Sequence, residues 1–408
     1  MTVRQLVPVV GDCEPADLAE QLLGIESLPP FSDEAIAFAA DLSRALARAG
    51  RGRPEIEAAA FWMRRAKLNR LAASFAELGT ESSLLVPRGI VFHVPPANVD
   101  TLFVYSWLLA MLTGNRSIVR LSERSTDQAA IIFDAMRETM AHHPAIAARS
   151  AMVTYGHDRD VTQVFSDVCD VRVIWGGDRT VNEIRRISLP THATELTFPD
   201  RFSLAAVRVD AYLALPAPDR DRVAEQFFND AYWFDQRGCS SPRIVLWVGD
   251  RASAATAESE FFDRLRTVVD TKNYQVDGAL AVAKLTQAYG EIMDHSIGSY
   301  RALGNEITVL GAVELPDVRG EFCGGGLFTS VSVPSLDELP SFVRRADQTL
   351  SQLGFTREEL RDLAVRLNGK GIDRIVPMGS ALDFNRFWDG YDLVQEFTRR
   401  VTVDAGRR

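Results

Sequence analysis

Cysteine is scarce in this chain: four residues in 408, Cys13, Cys169, Cys239 and Cys323, all far apart. That excludes a disulfide scaffold and the paired spacing of a thiolate metal site, and it fits reduced thiols in a cytoplasmic setting. Positive charge is short as well, with 45 Lys and Arg against 55 Asp and Glu and a net charge of −10. A chain of this balance is expected to bind neither nucleic acid nor an anionic membrane surface. The N-terminus, MTVRQLVPVVGDCEPAD, has no basic stretch leading into an apolar one, so no signal peptide is expected. The longest apolar run, Val99 to Thr113, holds about 15 residues and includes Asp100, whereas a membrane span needs roughly 20. It reads as a helix buried on all sides of a large α/β protein. Internal repeats, low-complexity stretches and the GxGxxG fingerprint are missing too.

What is present is an ordinary soluble composition, 46% apolar and 25% charged, on a chain longer than one core fills. Two domains are therefore expected. Residues 14 to 80 carry apolar positions at helical spacing, as in DEAIAFAADLSRALARA. From Arg88 strands and helices alternate: GIVFHVP, the apolar run, SIVRL, a helix from Ser125 to His142 with Ser125 and Gln128 at capping-box spacing, AMVTYG, DVTQVFSDVC, VRVIWGG and DRTVNEIRRI. Such alternation predicts βαβ units and a parallel sheet. A second α/β region follows: a helix to Trp233, Cys239, the strand IVLWVG, helices over Ala252 to Thr271 and Leu280 to His295, and the strands ITVLGAVEL and LFTSVSV. The last third reads as helices over Asp337 to Leu350 and Thr356 to Leu367, then IDRIVPMG, FWDGYD and a final strand in VQEFTRRVTVD.

Among chemistry-bearing residues, Cys239 stands out in FDQRGCSSPR, between a helix and a strand, with Arg237 and Arg243 close by. Nearby positive charge favours the nucleophilic thiolate, although a free cysteine is as readily a small buried hydrophobe. Asn98, at the strand-to-helix junction PPANV, is a turn or N-cap residue unless an oxyanion lies in front of its amide. Arg120, Ser122 and Glu123 end the second strand of the sheet, where dinucleotides lie in such folds, but surface charge is the plain reading. Gly176 and Gly177 turn into a helix N-terminus, which suits a pyrophosphate or simple packing. Cys323 opens CGGGL, a turn before a strand more readily than a second nucleophile site. His93 is a core residue or a proton-transfer group beside Asn98. FWDGYD packs on the core or lines an entrance.

Together, GIVFHVPPANVDTLFVYSWLLAMLTGNRSIVRLSER, VIWGGDRTVNEIRR, FPDRFSLAAV, FDQRGCSSPR and GIDRIVPMGSALDFNRFWDGYDL resemble the LuxC-type acyl-CoA (acyl-thioester) reductases of the aldehyde dehydrogenase superfamily. The resemblance implies an aldehyde-dehydrogenase-like fold: an N-terminal helical segment over residues 1–84, a Rossmann-type nucleotide domain over 85–205, a catalytic domain over 206–385, and a C-terminal strand within 386–408 that pairs with a neighbouring domain or subunit. It implies that Asn98 and the Cys239 N–H form an oxyanion hole around a nucleophilic Cys239. Arg120, Ser122 and Glu123 match the ribose-binding stretch, with Arg120 in place of lysine and Leu121 in place of proline. Gly176 and Gly177 match the cofactor-side turn, and Glu321 the glutamate at the nicotinamide ribose. The general-base glutamate of the oxidising members is missing: Phe198 falls near its place and Glu195 out of register. This favours reduction of an acyl-CoA or acyl-carrier-protein thioester to an aldehyde, with NADPH, or NADH in its place, as cofactor. The same resemblance implies a homo-oligomer and an acyltransferase or acyl-protein synthetase as partner. A cysteine acyltransferase or thioesterase using His93 or His192 without a nucleotide, and a non-catalytic subunit, are the alternatives.

Overall fold

A computed structural model describes residues 2–96, 100–123 and 126–404. The chain divides into two compact units, Met1–Pro199 with Phe384–Arg408, and Asp200–Asp383.

The first unit contains β1 (Val3–Val7), β2 (Gly11–Cys13), β3 (Ser83–Pro87), β4 (Ile90–Val94), β5 (Arg116–Leu121), β6 (Ser150–Thr154), β7 (Val171–Trp175) and β8 (Thr194–Phe198). Seven of these form one sheet in the order β2-β1-β6-β5-β4-β7-β8. The five strands from β6 to β8 are parallel, as the alternating pattern predicts. The connections from β4 through β5 to β6 step one way and those from β7 to β8 step the other. The order therefore reverses between β4 and β7, the place where a doubly wound sheet leaves a crevice beyond its carboxyl ends. Every residue of β4 and β7 is buried, as expected of strands covered on both faces.

The apolar run forms the helix Asp100–Leu112, in which Phe103, Val104, Tyr105 and every residue from Trp107 to Leu112 are buried. Among the described residues no helix is long and apolar enough to cross a membrane. Gly114 ends this helix at φ 86°, where a Cβ would meet the Leu28 carbonyl oxygen at 2.0 Å. The next helix, Asp127–Met140, is capped by Thr126, whose hydroxyl accepts from the Ala129 N–H at 3.1 Å. The cap is thus one residue beyond the expected Ser125, which itself lies outside the described residues. The N-terminal helical stretch resolves into Pro15–Leu23, Asp33–Ala49, Pro54–Trp62 and Arg65–Ala76. Phe38 from the second of these meets Trp107 edge to face, so these helices share a core with the buried helix. The final strand, Thr398–Thr402, pairs antiparallel with β3 of the same chain.

The second unit contains β9 (Phe202–Arg208), β10 (Pro242–Val248), β11 (Ile297–Leu303), β12 (Ile307–Ala312), β13 (Leu327–Val333), β14 (Asp347–Leu353) and β15 (Arg374–Pro377), in the order β11-β12-β13-β10-β9-β14-β15. All but the antiparallel edge strand β11 run parallel. Two sequence expectations fail here. The helix expected over Asp337 to Leu350 is only the short Leu339–Phe342, and DQTLSQL is the interior strand β14. Its polar side chains hid it: Asp347, Gln348, Thr349 and Ser351 are all buried, with Asp347 bridged to Arg319 and Gln348 bonded to Ser240. β11 was not anticipated because its sequence, IGSYRAL, is that of a mostly exposed edge.

Candidate active site

Cys239 lies exposed in a turn at the amino end of β10, three residues before the strand begins. The chain reaches it from the helix Ala217–Tyr232 through Phe234, Asp235 and Gln236, which have φ of 57°, 53° and 63°. Three successive non-glycine residues in the left-handed region cost roughly 1–2 kcal/mol each, so surrounding contacts must impose this path. Gln236 supplies them on one side. Its amide, fully buried, donates to Pro242 O at 3.0 Å and Leu327 O at 2.9 Å, and accepts from the N–H groups of Gly326 at 2.9 Å and Leu327 at 3.0 Å. On the other side Ser203 donates to the Cys239 carbonyl at 2.7 Å and accepts from the Thr349 N–H at 3.2 Å. Ser240 donates to Gln348 Oε1 at 2.8 Å. Next to the thiol, a Cβ on Gly238 would meet Leu382 and the Ser241 hydroxyl, each at 3.1 Å, so a side chain there would crowd the turn.

The charge around this turn is positive. The Arg243 guanidinium lies 4.3 Å over the Phe322 ring and 5.6 Å from that of Phe202. Burial lowers its pKa, while Cys239, Asp200 and Cys323 raise it. Arg237 Nε donates to the Cys323 carbonyl at 3.4 Å. Buried Lys284 donates to Gly325 O at 2.7 Å and to Asn305 O; burial lowers its pKa to about 8, with Cys323 and Glu306 opposing. The Cys323 thiol is half-buried and desolvation raises its pKa, while Lys284, Arg237 and Arg243 draw it down. Of the two thiols in this neighbourhood, Cys239 is the exposed one. Glu321 is exposed, and its backbone carbonyl accepts from Gln287 at 2.9 Å.

The other predicted residues lie in the first unit. Arg120 lies near the end of β5, Ser122 and Glu123 follow it, and Gly176 and Gly177 follow β7, so all five are at the carboxyl edge of the sheet, about the strand-order reversal. Ser122 and Glu123 are exposed. Arg120 turns back onto the sheet: Nη2 donates to Gly156 O at 3.0 Å, the guanidinium lies 5.0 Å from the Tyr155 ring, and Nε is buried with no partner among the described residues. Gly177 is the N-cap of the helix Asp178–Arg185 and has no side chain to cap it. Asn98 lies outside the described residues.

Several weaker candidates acquire structural roles. His93 is fully buried with Nδ1 2.8 Å from Ser106 Oγ, and burial lowers its pKa to about 3, which favours the neutral imidazole of a core residue. Glu195 accepts from Arg172 Nε at 2.8 Å and again from Nη2, with Arg185 Nε at 3.1 Å. Phe198 stacks on Trp175 at 3.7 Å. Trp388 of FWDGYD is buried against Tyr105 and Trp175, whereas Phe387 is half-exposed. A cavity of about 740 Å³ opens at the carboxyl ends of β9, β10 and β13, the opposite edge of the sheet from Cys239. Among its charged groups Arg208 is paired with Glu359, and Arg366 with Asp337.

Sequence reasoning missed Gln236, Ser203 and Gln348 as supports of the nucleophile turn. The only sequence signal is the position of Gln236 beside the cysteine; its partners are remote.

Comparison with known proteins agrees with this architecture. The long-chain acyl-protein thioester reductase of Aliivibrio fischeri is 29% identical over 166 residues, which are 40% of this chain and 33% of that protein. The chain thus aligns with about a third of that relative's length. An oxidoreductase from Marinobacter aquaeolei superposes with a TM-score of 0.70 at 11% identity, over 99% of this chain and 94% of its own. An NAD-dependent aldehyde dehydrogenase from Sinorhizobium meliloti gives 0.63 at 15% identity, over 97% and 84%. These structures establish an aldehyde-dehydrogenase-like α/β fold. The family described as acyl-CoA reductase (LuxC) matches residues 68–400, most of the chain, and the protein belongs to that family.

Proposed function

We propose that this protein reduces an acyl thioester, carried by CoA or by a carrier protein, to an aldehyde through a covalent acyl group on Cys239. The observation that carries the reading is an exposed thiol in a rigidly held turn, with Arg243 and Arg237 supplying positive charge that favours the thiolate. Cys239 Sγ attacks the acyl carbonyl. The Cys239 backbone N–H and the Asn98 amide donate to the oxyanion; losing one such donor costs roughly 100- to 1000-fold in rate. The carrier thiol leaves and the acyl group remains on Cys239 as a thioester. Hydride addition at that carbonyl gives the thiohemiacetal oxyanion, which collapses to aldehyde and expels the Cys239 thiolate.

NADPH, or NADH in its place, supplies the hydride when bound. The carboxyl edge of the first sheet suits it on two observations: Arg120 Nε is buried with no partner among the described residues, and the helix Asp178–Arg185 has as its N-cap Gly177, which carries no capping side chain. Gly176 and Gly177 would take the pyrophosphate. Arg120, Ser122 and Glu123 would take the adenosine ribose, and Glu321 the nicotinamide ribose. Survival of the thioester until reduction requires that no base activate water. Burial of Phe198 against Trp175, and the engagement of Glu195 by two arginines, support that requirement. The test follows NADPH or NADH oxidation with acyl-CoAs of increasing chain length and identifies the product. Aldehyde formation that is lost in Cys239→Ala is expected; thioester consumption yielding free acid with no nicotinamide oxidised would overturn the reading.

A further inference from the structure

Gln236 has no partner near it in sequence apart from Pro242; the others lie about the junction of the Cys323–Gly326 loop and β13. That loop is threaded against the turn that presents Cys239. The Gly325 N–H donates to the Asp235 carbonyl at 2.9 Å, and a Cβ on Gly324 would lie 2.1 Å from the same oxygen. A Cβ on Gly326 would lie 1.9 Å from Glu306 O, so the run of glycines permits a closeness that no side chain would. With both donors and both acceptors of its amide used and its backbone left-handed, Gln236 fixes the residues leading to Cys239 and β13 as one piece.

We propose that Gln236 is a positioning residue for the nucleophile: its amide clamps the Cys323–Leu327 loop to the Phe234–Cys239 turn and so sets the place of the Cys239 thiol and N–H. This rests on Cys239 being the acylated residue. The clamp explains why a left-handed path through Phe234, Asp235 and Gln236 persists: released, these residues would relax to ordinary backbone and carry Cys239 with them. Displacement of a reacting group by about 1 Å costs on the order of 100-fold.

The test measures acyl transfer from an acyl-CoA to Cys239 without any nicotinamide, by intact mass and peptide mapping, alongside steady-state kcat and KM. In Gln236→Ala a fall of ~100-fold in acylation rate and kcat is expected, with KM for the nicotinamide within a few-fold of the unsubstituted protein. Gln236→Glu keeps both acceptor bonds but, when ionised, loses both donors. Its acylation rate relative to the unsubstituted protein should rise as pH is lowered, because the protonated acid regains a donor. A purely structural residue would lower melting temperature without that pH-dependent recovery. If Gln236→Ala does not fold, Gln236→Glu carries the same test. Folded Gln236 variants that acylate Cys239 at the normal rate overturn the proposal alone. Failure of the unsubstituted protein to acquire an acyl group on Cys239 overturns the proposal together with the reaction it rests on.

Discussion

The Ser203 hydroxyl, on β9, donates to the Cys239 carbonyl at 2.7 Å, tying the exposed thiol's backbone to the neighbouring strand. Because Ser203 is itself fully buried and also accepts from Thr349 N–H, its loss removes the partner of that buried N–H and of the Cys239 carbonyl. Ser203→Ala should cost about 1–3 kcal/mol of stability. It should also slow acylation of Cys239. Urea unfolding read beside the acylation rate checks both; unchanged values in each would show the contact to be incidental.

Glu195 holds Arg172, a buried arginine that also donates to Ser166 Oγ and Ile187 O, each at 3.0 Å. Removing one partner of a buried pair typically costs about 3–5 kcal/mol. Glu195→Ala should therefore lower the melting temperature while leaving thioester reduction per folded molecule intact. An activity loss without destabilisation would instead make Glu195 a catalytic base.

His93 gives a pH prediction. Its pKa falls from 6.5 to about 3 in the folded protein, through burial, whereas the unfolded imidazole protonates near 6.5. A depressed folded pKa contributes stability that is present above pH 6.5 and is lost as pH falls from there toward 3. His93→Phe should therefore show a shallower decline in unfolding free energy between pH 7 and 4. Parallel declines would mean that the imidazole is not held neutral.

Glu123 bears on cofactor choice. A carboxylate at the ribose disfavours a 2′-phosphate, and Arg120, which could offset it, is turned toward Gly156 and Tyr155. Glu123→Gln should raise kcat/KM for NADPH relative to NADH, by several-fold or more. An unaltered ratio would remove Glu123 from the ribose site.

Much of this architecture was legible where apolar residues did the packing. IVFHV and VRVIW are buried throughout and read directly as covered parallel strands. DQTLSQL did not read as a strand, because its burial depends on Ser240, Ser203 and Arg319, partners remote in sequence. The flanking arginines marked Cys239 as a candidate, and its exposure agrees with that reading, but the grip of Gln236 on Leu327, 91 residues onward, left no sign in the sequence. Ser125 and Thr126 are both competent caps, and composition alone could not choose between them.

The most direct test of the central claim is the mass of the protein after exposure to a long-chain acyl-CoA without reduced nicotinamide, mapped to the residue and followed after NADPH is added. One acyl group on Cys239, discharged as aldehyde on addition of NADPH, is expected. Aldehyde formation with Cys239 unmodified throughout, or discharge of the acyl group only as free acid, would contradict it.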